Sequence, residues 1–143
     1  MSTTYISAAL RREVIERTGQ CCEYCQLSQN DVFFAFEIDH VIAEKHGGAT
    51  RTENLCLSCP DCNAFKGSDI ASVDWAQGEI IVALYHPRQQ RWSDYFEVDL
   101  ISGLIEGLTE AGRLTIFLLH LNNADRVMDR KPLIDVNRYP CEK

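Results

Sequence analysis

Two cysteine pairs, Cys22-x2-Cys25 and Cys59-x2-Cys62, constrain this chain more than any other feature. Each pair has the spacing that lets both sulfurs of a tight turn point at one ion. Together they make four soft ligands, which suit zinc in a tetrahedron at roughly 2.3 Å. A site closed by four thiolates leaves no open position, so its zinc is expected to be structural. Such an ion clamps two loops together and supplies folding free energy that a small core lacks. The chain has seven cysteines, so three remain. Cys56 also precedes Cys59 by three residues and Cys21 abuts Cys22, which leaves the register open to question. Cys56 stands where a strand needs an inward apolar residue, and free cysteine is among the most buried types. Cys21, Cys56 and Cys141 are therefore read as non-ligands. The competing readings are unpaired core cysteines and a thiol redox pair at Cys22 and Cys25.

A chain of 143 residues has room for one core, or one small domain with an extension. Its longest apolar run, Thr115 to Leu121, is far too short to span a bilayer, and the N-terminus lacks a signal-peptide pattern. A cytoplasmic protein with no membrane partner is expected, and in a reducing cytosol spaced cysteines signal metal more often than disulfides. The formal net charge of −7 argues against a broad nonspecific nucleic-acid surface. A bound cation, however, can be the largest charge at a site and reverse the local balance.

Local patterns place the pairs in context. Ser7 can cap a helix to about Thr18, with Leu10, Val14 and Thr18 on one face and Gly19 as its stop. Phe34, Phe36 and Ile38 alternate with Ala35, Glu37 and Asp39, a half-buried strand that leads into His40. Residues 43–53 form a polar loop around Gly47-Gly48, and a short strand spans Asn54 to Leu57. Pro60 suits the first position of a helix to about Lys66, which Gly67 ends. Beyond it, Ile80–Tyr85 and Trp92–Val98 read as strands, and Leu100–Leu108 as a third or a hairpin return. Thr109 caps a helix through Leu119, and Asn122 or Asn123 a last one broken near Pro132. A division into a core at 1–72 and an extension at 73–143 packed on it, in one compact unit, is a convenience, since composition marks no boundary.

Between and just after the cysteine pairs stand Asp39, His40, Asn54 and Asn63. The segment "EIDHVIAEKHGGATRTENLCLSCPDCNAFKG" resembles the HNH endonucleases of the ββα-metal (His-Me finger) class, in the subgroup with a four-cysteine zinc. Asp-His, Gly-Gly, Asn-Leu, Cys-x2-Cys-Asn and Lys66-Gly67 all follow in order, over about residues 11–68. The third family position is Asn63 where histidine gives the family its last letter, and asparagine there also occurs in the family. The resemblance implies an α+β fold: a ββα-metal core with structural zinc, followed by an α+β extension. It also implies a metal-dependent endonuclease acting on DNA.

The residue types fit that chemistry. Phosphodiester hydrolysis needs an activated water, a cation on the phosphate oxygens and help for the departing oxygen. Neutral imidazole can take a proton from water near pH 7, so His40 is the candidate general base. Mg²⁺ or another hard divalent cation prefers oxygen ligands, and Asp39 and Asn63 are the candidates, with Glu37 behind them. Asn54 could bond backbone groups of the loop and fix the orientation of His40. Strict alternation sends Asp39 and His40 to opposite faces of a strand, so a common site requires a bend at or just after Asp39. The alternative for His40 is a satisfied histidine at a strand end; for Asn54 and Asn63, ordinary turn and helix-surface residues.

Lys45, Arg51 and Lys66 could neutralise substrate phosphates, and Arg88 and Arg91 beside Trp92 form a second basic and aromatic spot. For each of these a solvated surface charge is the competing reading. His46 reads as an exposed loop residue. The segment from His86 to Asn123 is also similar, more loosely, to extensions found on bacterial HNH proteins. A homodimer would suit double-strand cleavage. The rival function is a non-catalytic zinc module that binds nucleic acid or protein, which needs the four cysteines but not His40.

Overall fold

The computed structural model describes residues 4–141. Helix α1 (Ala8–Thr18) starts where the Ser7 hydroxyl accepts a bond from the Leu10 amide and stops where Gly19 turns left-handed at φ 61°. Val14 and Thr18 are its buried residues. Strands β1 (Glu37–His40) and β2 (Leu55–Ser58) pair antiparallel, with Glu37 opposite Ser58, Ile38 opposite Leu57, Asp39 opposite Cys56 and His40 opposite Leu55. Helix α2 (Pro60–Lys66) follows directly, with Pro60 in its first turn and Cys59 as its N-cap.

This hairpin is buried on both faces. Ile38, Leu55 and Leu57 pack with Ile6 and Val14, so α1 covers one side. Cys56, paired with Asp39, faces the other side and joins a larger core with Tyr24, the four paired cysteines, and residues of the second half of the chain. Helix α2 touches that second side, where Glu37 and Asp39 project.

The second half adds two further antiparallel pairs: β3 (Ala71–Asp74) with β4 (Ile80–Ala83), and β5 (Phe96–Val98) with β6 (Ile105–Gly107). A single helical turn, α3 (Trp92–Tyr95), leads into β5. Helix α4 (Glu110–Leu118) is capped by Thr109, whose hydroxyl accepts from the Gly112 amide, and α5 (Ala124–Asp135) begins after Asn123. Tyr85, Phe96, Ile105, Leu114, Leu119 and Leu121 form the centre of the larger core.

Three sequence expectations are corrected. The first strand begins at Glu37; Phe33 and Phe34 are exposed, so the aromatic alternation before it belongs to a loop. The stretch from Trp92 to Val98 is half helical turn, and β3, which has no clear sequence signal, supplies the partner that β4 requires. Pro132 lies inside α5 instead of breaking it; a proline forfeits one intrahelical bond, and here the buried anchors Arg126 and Arg130 hold the preceding turns in place. Cys21 and Cys141, read as non-ligands, stand outside the metal cluster and form a disulfide across 120 residues of sequence, a pairing the sequence reading did not foresee.

Candidate metal centre and the polar constellation beside it

The two cysteine turns meet at one point. Cys22, Cys25, Cys59 and Cys62 are all buried, and their sulfurs lie within 4.8 Å of one another. Among the described residues this is the group of histidine, cysteine and acidic side chains arranged to hold an ion. The Cys25 and Cys59 sulfurs are 3.7 Å apart, close to the edge of about 3.8 Å that a tetrahedron with zinc–sulfur bonds near 2.3 Å requires. Hydrogen bonds with Cys22, Cys59 and Cys62 hold the Cys25 thiol well below its ordinary range. Bonds with Cys22 and Cys25 push the Cys59 thiol up, and burial together with the same contacts pushes up Cys62. Four sulfurs so close compete for protons, and a divalent ion resolves that competition by taking all four as thiolates. The cluster therefore fits zinc. Cys56 lies apart from it, next to the Tyr24 hydroxyl, and burial pushes its thiol up to about 12.

Neighbours that the sequence did not reveal enclose this cluster. The Arg126 guanidinium donates to the Cys62 sulfur at 3.0 Å and lies 3.8 Å from that of Cys59. Burial works against its charge, but Cys62 and Cys25 outweigh burial and hold it firmly protonated. The Tyr139 hydroxyl donates to the Cys25 carbonyl at 2.5 Å, and the Trp92 indole to the Tyr24 carbonyl at 2.9 Å. Glu23, buried inside the first turn, accepts from the Leu57 amide at 2.9 Å and pairs with Arg88. Burial, aided by Arg17 nearby, pulls Arg88 down to about 10. Arg88 and Trp92, expected as a surface spot, thus brace the cysteine turn. Apart from Leu57, 34 residues from Glu23, these partners are 64 to 114 residues away in sequence, as Cys62 is from Arg126 and Cys25 from Tyr139. No local pattern announces such contacts.

The four polar residues beside the clamp are not gathered into one cluster. His40 is 4% exposed, and its Nε2 lies 2.9 Å from the Thr50 hydroxyl and 3.9 Å from Glu44. Regular pairing runs through His40, so it and Asp39 leave opposite faces of β1, and no bend occurs at Asp39. Asp39 lies 3.5 Å from the Lys66 ammonium. Its Oδ2 is buried without a hydrogen bond, and burial raises its pKa against the opposing pull of Lys66. Asn63 donates to Glu37 on that same face. Glu37 and Asp39 therefore project from one side of the hairpin, where α2 sets Asn63 against Glu37 and Lys66 against Asp39.

Asn54 ends a short helical turn just ahead of β2. Its Oδ1 accepts from the Ile42 amide, and its Nδ2 donates to the carbonyls of Ile42 and Ala49, each at 2.9 Å. One side chain thus ties together both ends of the loop that follows His40. The glycine pair is required by the same construction. Gly47 takes a left-handed φ of 87°, and a Cβ on Gly48 would stand 1.7 Å from the Ile42 carbonyl oxygen.

The expected phosphate contacts divide. Lys45 and Arg51 are exposed around this loop, as is His46, whose Nε2 lies 3.1 Å from the Ser68 carbonyl. Lys66 is only 2% exposed: its ammonium donates to the His40 carbonyl at 3.2 Å and faces Asp39, so it is an internal cation and not a surface one. It sits in the last turn of α2, where helical periodicity alone does not say which way a lysine points.

No helix among the described residues is long and apolar enough to cross a membrane. No curated protein matches the chain. The family model described as HNH endonuclease matches residues 22–69, the stretch that holds both cysteine pairs, Asp39, His40, Asn54 and Asn63, and that stretch is an HNH domain.

Proposed function

We propose that the HNH segment is a metal-dependent endonuclease that hydrolyses phosphodiester bonds of DNA, with His40 as general base. The observation that carries this reading is the pinned loop: Asn54 holds residues 42 and 49 together, and the His40 imidazole meets that loop at Thr50. A buried histidine fixed by a hydroxyl on one ring nitrogen is prepared to accept a proton in a defined direction.

The acidic side of the hairpin suits a hard cation, which would share the buried Asp39 Oδ2 with the Lys66 ammonium 3.5 Å away, while Asn63 meets Glu37 on the same face. Asp39 and Asn63 would hold it, beside Glu37. A divalent ion bound there neutralises charge on the phosphate and on the departing oxygen. The chain's own groups do the rest. His40 takes the proton of the attacking water, Asn54 keeps the loop in register, and Lys66 fixes the end of β1 through the His40 carbonyl while facing Asp39. Lys45 and Arg51, exposed beside the loop, would take flanking phosphates.

The test is plasmid cleavage with Mg²⁺ or Mn²⁺ beside His40→Ala. Nicking by the parent that falls roughly 10²- to 10⁴-fold in the variant supports the assignment. Undiminished cleavage by the variant, or none by the parent under any metal, removes it. The second reading, a zinc module that binds nucleic acid or protein without cutting, is favoured by two observations: Asp39 and His40 point to opposite faces, and Lys66 already stands at the carboxylate.

A further inference from the structure

We propose that Arg126 is the charge-compensating donor of the zinc site, a residue of the second half of the chain that sets how tightly the cysteine cluster holds its metal. The inference stands on the cluster alone and is independent of whether the protein cuts DNA. Four thiolates around one divalent ion carry two net negative charges. The cluster is buried, and an uncompensated buried charge is costly. Arg126 is the cation placed against those sulfurs: it is 7% exposed, donates to Cys62 at 3.0 Å and lies 3.8 Å from Cys59. It is aimed, not merely near. Its other terminal nitrogen donates to the Leu119 carbonyl at 2.8 Å and lies 3.4 Å from that of His120, both just beyond α4. The planar fork can thus grip the backbone with one arm and the sulfurs with the other, which an ammonium cannot do.

A thiolate that accepts an N–H bond is less basic, so protons and electrophiles take it from the metal less readily. Arg130, one turn further along α5, is the natural control. It is equally buried but bonds only oxygens, those of Gly103, Leu121 and Asn122.

The experiment measures release of zinc to a colorimetric chelator and the thiolate-to-metal charge-transfer bands of the Co²⁺-substituted protein. Circular dichroism checks the fold. Arg126→Gln should weaken metal retention about 10- to 100-fold and move the cobalt bands to lower energy, with Arg126→Lys in between and Arg130→Gln leaving the bands in place. A folded Arg126→Gln that matches the parent in both readouts overturns the proposal. So does an equal band shift in Arg130→Gln. Should Arg126→Gln fail to fold, Arg126→Lys decides: bands unmoved from the parent overturn it, and bands shifted toward lower energy support it.

Discussion

The cysteine cluster and the constellation around His40 come from the same stretch of chain but are built in opposite ways. The cluster is mutual: every sulfur lies close to the other three, and buried partners from distant segments enclose them. In the constellation each member is held by a different neighbour, His40 by Thr50, Asp39 by Lys66, Asn63 by Glu37 and Asn54 by the loop backbone. The first arrangement suits rigidity through one shared ion. The second holds its polar groups separately, each by its own neighbours.

That contrast can be broken experimentally, most forcefully at the metal. Cys25→Ser or exhaustive chelation should unfold the chain, because apparent binding free energies of about 10 kcal/mol or more are folding free energy in such sites. A melting curve unchanged by either treatment would mean the clamp is ornamental. His40→Ala is the counterpart in the other region. Its melting curve should show only a loss of about 1–3 kcal/mol, from a buried polar partner removed, while cleavage falls far more steeply.

The loop offers a purely steric test. Gly48→Ala puts a methyl into the Ile42 carbonyl, and overpacking of this kind costs about 1–3 kcal/mol. Urea midpoints should drop and cleavage should fall with them, whereas Gly47→Ala perturbs only a strained φ. Equal behaviour of parent and Gly48→Ala would show that the loop relaxes freely.

The smallest effect concerns Asp39. Burial raises its carboxyl above the usual value and Lys66 opposes that rise. In the window between the unfolded and folded pKa the native state binds more protons. Stability therefore falls as pH rises through it, and the cost remains at neutral pH. Lys66→Met removes the opposing cation, so the Asp39 titration followed by carboxyl NMR should move further up. A downward or absent shift would show that the ammonium does not act on this group.

Local chemistry made half of this architecture readable. Ser7 and Gly19 bound α1, Pro60 and Gly67 bound α2, and Thr109 opens α4, because caps act through residues a turn away. The cysteine spacing gave the metal cluster for the same reason. Asn54 was legible as a loop fastener. Arg126, Tyr139 and the Glu23–Arg88 pair were not, since each contact joins segments far apart and leaves no periodic trace. Phe34 and Phe36 misled because alternation describes a strand only where a partner strand exists, and the ladder with β2 begins at Glu37. Lys66 misled because charge suggests the surface, and its burial depends on the Asp39 carboxylate and the His40 carbonyl being there to receive it.

The late partners of the first cysteine turn set an order of events during synthesis. A ribosome delivers Cys21, Cys22 and Cys25 early, but the hydroxyl that meets the Cys25 carbonyl arrives with Tyr139, 114 positions later, and the sulfur that joins Cys21 comes after that. A nascent chain halted before Arg126 emerges from the exit tunnel could already collect its ion, yet would surrender it to a competing chelator more readily than the finished protein.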